Sequence, residues 1–168
     1  MQPGKNLNPN RQPTSNCQKV IYPPKVSAPL SIFALAVFII YNIINYMNRK
    51  ILLIDDVVSI LTVFSYSLKQ AGYDVYTADN CTDGYKLVTE ILPDLIIIDN
   101  KMPTGISGWE TTKTIKSNPI TRHIPIVGFT AYTGKNEIAN GMRSGLDEIV
   151  LKPVYIDELL TVIRKYVR

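Results

Sequence analysis

The chain has 168 residues, 46% hydrophobic and 19% charged, which supports a packed core and argues against wholesale disorder. Its net charge of +4 comes entirely from Lys5, Arg11, Lys19 and Lys25, because residues 1–48 carry no acid and residues 49–168 hold 14 basic and 14 acidic side chains. That balance does not support a basic nucleic-acid-binding domain, and two cysteines (Cys17, Cys81) with one histidine (His123) exclude a disulfide-dense scaffold and a multi-histidine or Cys-based metal centre.

Residues 1–29 hold six of the 11 prolines and show no apolar periodicity, so they read as a disordered Pro/Asn-rich tail. Residues 30–47 form an uncharged, mostly apolar run. Its length, about 27 Å as a helix, makes it a candidate transmembrane helix. A helix buried against a partner, or residues outside the native product, would give the same run. Met47, just before a strand, would serve as a natural start.

From residue 50 the pattern changes. Ile51–Ile54 is a continuous apolar run, as in a strand buried on both faces. Val57, Ile60, Leu61, Phe64 and Leu68 follow helical spacing up to Gly72. A strand is expected over 73–77, then a helix marked by Tyr85, Leu87, Val88 and Ile91 that stops before Pro93. Leu95–Ile98 is a second fully apolar strand, and a loop leads to a helix over about 107–117. A strand over 126–129, a helix over about 135–144 ended by Gly145, a strand over 148–151 and an amphipathic helix from Ile156 to Val167 complete the chain. Strands alternating with helices imply an α/β fold, a five-stranded parallel sheet with helices on both faces. In such a sheet the site lies beyond the carboxyl ends of the strands.

The strand ends carry Asp55 and Asp56, then Asp99, then Thr130, then Lys152 followed by Pro153. Each alone has a bland explanation, such as a helix cap or a solvated lysine. Together they suit one task. Clustered carboxylates need a cation, and oxygen ligands with room for water and phosphate suit Mg²⁺. A lysine and a hydroxyl supply donors for a phosphoryl group. The constellation fits phosphoryl transfer onto a carboxylate.

The segments Ile51–Asp56, Pro93–Pro103, Thr130-Ala131 and Leu151–Pro153, with Gly72, Gly108 and Gly145, resemble the receiver domain of two-component response regulators over residues 49–168. The resemblance implies a doubly wound, flavodoxin-like fold and a cytoplasmic, non-enzymatic signalling role. Asp99 would accept a phosphoryl group from a histidine kinase or histidine phosphotransfer protein. Asp55, Asp56, Asp99 and the backbone carbonyl of Lys101 would hold Mg²⁺. Lys152 and Thr130 would contact the phosphoryl oxygens, small Ala131 would leave it accessible, and the bond before Pro153 would be cis. Output would pass to a downstream protein target, since no effector segment follows the last helix and no nucleic-acid contact is expected.

Two features depart from the common receiver pattern. Ile149 occupies the switch position, three residues before Lys152, where Tyr or Phe is frequent. The loop Pro103–Gly108 is one residue longer than usual, with Gly105 expected to absorb the extra residue. Two rival readings remain: a phosphorylation-independent pseudo-receiver tethered to a membrane through 30–47, and an aspartyl phosphatase. The second lacks the carboxylate two residues after its nucleophile, where Lys101 stands. His123 is assigned a loop role, Trp109 core packing, Glu110 helix-dipole placement, and Cys81 a helix start.

Overall fold

The computed structural model describes residues 34–37, 39–40, 49–103, 105–131 and 134–167. The expected tail over 1–29 lies outside these residues. Of the apolar run 30–47 only residues 34–37 and 39–40 are described, as helix with Leu35, Val37, Ile39 and Ile40 exposed. Among the described residues no helix is long and apolar enough to cross a membrane.

Strands and helices alternate as β1 (Lys50–Ile54), α1 (Val58–Gln70), β2 (Asp74–Ala78), α2 (Cys81–Ile91), β3 (Leu95–Ile98), α3 (Gly108–Ser117), β4 (Ile126–Thr130), α4 (Lys135–Ser144), β5 (Glu148–Leu151) and α5 (Ile156–Tyr166). The five strands form one parallel sheet in the order β2-β1-β3-β4-β5. The expected α/β architecture is therefore the observed one.

Small differences at element ends have local causes. β2 begins at Asp74 rather than Tyr73, because the Tyr73 N–H still donates to the Leu68 carbonyl (3.1 Å) and closes α1 behind Gly72. Val57 precedes α1 as its cap residue, and its N–H donates to the Asp55 carboxylate at 2.9 Å. Ser107 caps α3 in a reciprocal box with Glu110, a more specific role than dipole placement. Cys81 opens α2 and is buried, and His123 sits exposed in the α3–β4 loop. Gly105 takes φ 81°, a left-handed conformation that a residue without Cβ adopts readily.

Period-two alternation divides the core into two layers. Ile51, Leu53, Leu95, Ile97, Val127, Phe129 and Val150 face α1 and α5, where Leu61, Leu68, Leu159, Leu160 and Ile163 cover them. Leu52, Ile54, Ile96, Ile98 and Ile126 face the other way, toward Val88, Trp109 and Ile115. Both faces are closed, which explains the unbroken apolar runs in β1 and β3.

Leu159, fully buried on α5, tests how much this packing contributes. Leu159→Ala should lower the unfolding free energy by about 2–5 kcal/mol. Denaturant titration followed by circular dichroism would measure it; a loss under about 1 kcal/mol would contradict a close-packed layer.

Candidate functional site

Chain direction across the sheet reverses at β1 and β3: from β1 the chain moves outward to β2, and from β3 outward to β4 and β5. A crevice opens at such a switch point. Register then determines what lines it. Ile54 pairs with Ile98, so Asp55 and Asp99 leave the sheet side by side. Thr130 pairs with Leu151, so Lys152 emerges one residue further along the same edge.

Lys152 is the hub. Its Nζ lies 2.5 Å from Asp55 Oδ2 and 3.0 Å from Asp99 Oδ1, and all three side chains are largely buried. The ammonium also sits 4.7 Å from the centroid of the Phe129 ring. Phe64 of α1 meets that ring edge-on, with centroids 5.3 Å apart. The Lys152 stem is further fixed by its backbone N–H, which donates to the Thr130 carbonyl at 2.8 Å. Its peptide bond to Pro153 is cis.

Asp99 is braced from several sides. Its backbone N–H donates to the Ile54 carbonyl (2.8 Å), and its Oδ2 accepts the Lys101 N–H (2.9 Å). Burial pushes the Asp99 carboxyl above its ordinary value of 3.8; Lys152 pulls it down, Asp55 pushes it up, and the Lys101 N–H pulls it down, with burial dominant. Asp56 follows Asp55 and is half-buried. Thr130 is buried as the last residue of β4, whereas Ala131 beside it is exposed. Ile149 is half-buried in β5 and packs into the α2–α3 layer rather than at the crevice.

The structure thus brings Asp55, Asp99 and Lys152 into contact, with Thr130 at the adjoining strand end, the Lys101 N–H on Asp99, and Asp56 and Ala131 next in the chain to Asp55 and Thr130. Among the described residues no three acidic, His or Cys side chains are arranged as a ready metal cage. Sequence reading missed Phe129, which looked like ordinary core, and a second cluster behind Asp99. There the Asn100 amide donates to Glu137 of α4, Trp109 Nε1–H donates to the same Glu137 oxygen (3.0 Å), and Asn100 Oδ1 accepts the Trp109 N–H (3.3 Å). Gly108 permits this approach, because a Cβ there would collide with the Asp99 carbonyl oxygen.

Comparison with known proteins agrees with this geometry. The "Response regulator receiver domain" family matches residues 51–164, more than half of the chain, and the chain belongs to that family. The response regulator PleD of Caulobacter vibrioides is 32% identical over 108 residues, covering 64% of this chain and 24% of the relative. The transcriptional regulatory protein AfsQ1 of Streptomyces coelicolor is 39% identical over 105 residues, covering 62% of this chain and 45% of the relative. The chain therefore spans between about a quarter and a half of the length of these relatives. Among solved structures, the chemotaxis protein CheY4 of Vibrio cholerae superposes with a TM-score of 0.67 at 28% identity, covering 71% of this chain and 98% of that one. The receiver domain of the Pseudomonas aeruginosa sensor histidine kinase PA1611 shares the fold (TM-score 0.67, 23% identity, 71% of this chain and 98% of that one); it is described with a magnesium ion coordinated in its active-site cleft. Receiver domains are the signalling modules of two-component systems and act with histidine kinases and downstream effectors.

The raised Asp99 carboxyl has a consequence for stability. Above its raised pKa the folded protein carries a charge that burial disfavours. As pH falls, the folded state takes up the proton before the unfolded state does, so the penalty disappears on the way down to the ordinary value of 3.8. Asp99→Asn should therefore melt at a higher temperature than the unchanged protein near neutral pH without divalent cations. The advantage should vanish below pH of about 3.8. Thermal melts across that range would show it, and an Asp99→Asn protein less stable at neutral pH would contradict the assigned cause.

Proposed function

We propose that Asp99 is the phosphoacceptor of this receiver, taking a phosphoryl group from a phosphohistidine donor with Mg²⁺ present. The observation that carries this is the Lys152 ammonium held between the Asp55 and Asp99 carboxylates at the switch point of the sheet. In the transfer, an Asp99 carboxylate oxygen forms a bond to phosphorus as the phosphorus–nitrogen bond breaks. The electron pair returns to the imidazole, whose other nitrogen carries a proton, so that the ring ends neutral.

The residues present fit Mg²⁺. The ion asks for one or two carboxylates with the remaining positions filled by carbonyl, water and phosphate oxygens, and the crevice offers oxygen donors without sulfur or imidazole. Asp55, Asp56, Asp99 and the Lys101 carbonyl would hold it. When bound, it neutralises negative charge on the phosphoryl oxygens and on the crowded carboxylates. Lys152 orients Asp99 and meets the incoming phosphoryl oxygens as a charged donor. Thr130 offers a hydroxyl on the neighbouring strand, and small, exposed Ala131 leaves access to the acceptor. Phosphorylation adds about −1.5 to −2 charges and three acceptor oxygens next to Lys152 and Thr130. Accommodating them shifts the segments after β4 and β5 and alters the face of α4, β5 and α5 offered to a downstream protein.

The intact acceptor, lysine and hydroxyl favour this reading over a phosphorylation-independent interaction module. The full chain incubated with a phosphorylated histidine phosphotransfer protein and Mg²⁺ should incorporate acid-labile phosphate. Asp99→Asn should abolish incorporation, and Lys152→Ala should slow it by roughly 10- to 100-fold, the loss expected for one charged hydrogen-bond donor. Labelling that persists in Asp99→Asn would refute the assignment.

A further inference from the structure

Helix α4 is weakly anchored by apolar packing. Its only buried residues among those described are Gly141 and Ser144; Ile138 is half-buried and Met142 is exposed. An element with so little buried apolar surface is held mainly by specific contacts and moves easily when they change. Those contacts converge on Glu137 in its first turn. The same Glu137 oxygen accepts from the Asn100 amide and from the Trp109 indole N–H. Asn100 directly follows Asp99, is buried, and is itself fixed to α3: its Oδ1 accepts the Trp109 N–H and its backbone carbonyl accepts the Gly108 N–H at 3.0 Å. The indole ring continues the connection by packing. A Cβ at Gly128 of β4 would lie 2.8 Å from its ring edge, and one at Gly141 of α4 would lie 3.3 Å from it. Ile149 completes this space, its Cδ1 3.0 Å from the same Gly141 position.

We infer that Glu137 is a positioning residue that couples α4 to the phosphoacceptor strand end, so that a phosphoryl group on Asp99 is felt at α4 through Asn100 and Trp109. This rests on the proposed phosphoacceptor role of Asp99. A phosphoryl group on Asp99 disturbs the bond from the Lys101 N–H to Asp99 Oδ2 and draws Lys152 and Thr130 toward new acceptor oxygens, and Asn100 shares a peptide bond with each of Asp99 and Lys101. Any turn of that peptide moves the amide that Glu137 holds, and the first turn of α4 is tied to it through that bond.

The test uses the full chain with Mg²⁺ and the small phosphodonor acetyl phosphate. Three quantities are read together: acid-labile phosphate, emission of Trp109 (the one tryptophan of the chain), and amide hydrogen exchange of α4. In the unchanged protein phosphorylation should shift both the emission and the α4 exchange. Glu137→Ala should incorporate phosphate as well as the unchanged protein, exchange its α4 amides roughly fivefold faster before phosphate is added, and lose the phosphate-dependent change. Glu137→Gln keeps the acceptor oxygen and should restore the response, which separates coupling from a general loosening of the helix. If Glu137→Ala takes up phosphate and α4 still responds as in the unchanged protein, the coupling is wrong while the phosphoacceptor reading stands. If the unchanged protein takes up no phosphate, both are wrong.

Discussion

The Lys152 ammonium governs the crevice. Two carboxylates brought together by strand register repel each other by about 4 kcal/mol at a separation of about 4 Å and an effective dielectric of about 20. One cation between them supplies two attractions of similar size, so the arrangement holds. Each buried charge still costs several kcal/mol of lost hydration. The three charges are thus close to neutral in their effect on stability. Apolar side chains at these strand ends would fold at least as well. The burial-dominated rise of the Asp99 carboxyl is the residue of that imbalance. A buried acid kept poised in this way gains from any further positive charge brought beside it.

The alternation of the strands organises everything around that hub. Asp55, Asp99 and Lys152 continue the parity of Leu53, Ile97 and Val150, the residues covered by α1 and α5. Phe129 belongs to the same layer and sits beneath the ammonium. Asn100 continues the parity of Ile96 and Ile98, the opposite layer, and there it meets Trp109 and Glu137. One strand end therefore serves two layers: acid chemistry on one side, and attachment of a loosely packed helix on the other.

Most of this architecture was legible in the sequence because it depends on local signals. Fully apolar tetrads such as Leu95–Ile98 mark central parallel strands, and Gly72 and Gly145 mark helix ends. With strand ends located, Asp55, Asp99, Thr130 and Lys152 could be placed on one edge. What escaped depends on three-dimensional packing. Phe129 is an unremarkable core residue until the ammonium is set over its ring. Glu137 lies in the first turn of a helix, where an acid needs no further explanation than the helix dipole. Its two donors come from α3 and the end of β3, and no spacing along the chain reveals that. Likewise Tyr73 looks like a strand residue, but its N–H is already committed to closing α1.

The two-layer division of the β3 end also sets which kinds of change this chain can tolerate. Beyond Met102, Gly105 turns back through a left-handed conformation and α3 starts on its cap at Ser107. Length is forgiving there because no alternation has to be kept. A single residue inserted between Ile98 and Asp99 would exchange the two layers, aiming the acid at α4 and the amide at the ammonium. Over these three positions spacing is as tightly constrained as identity.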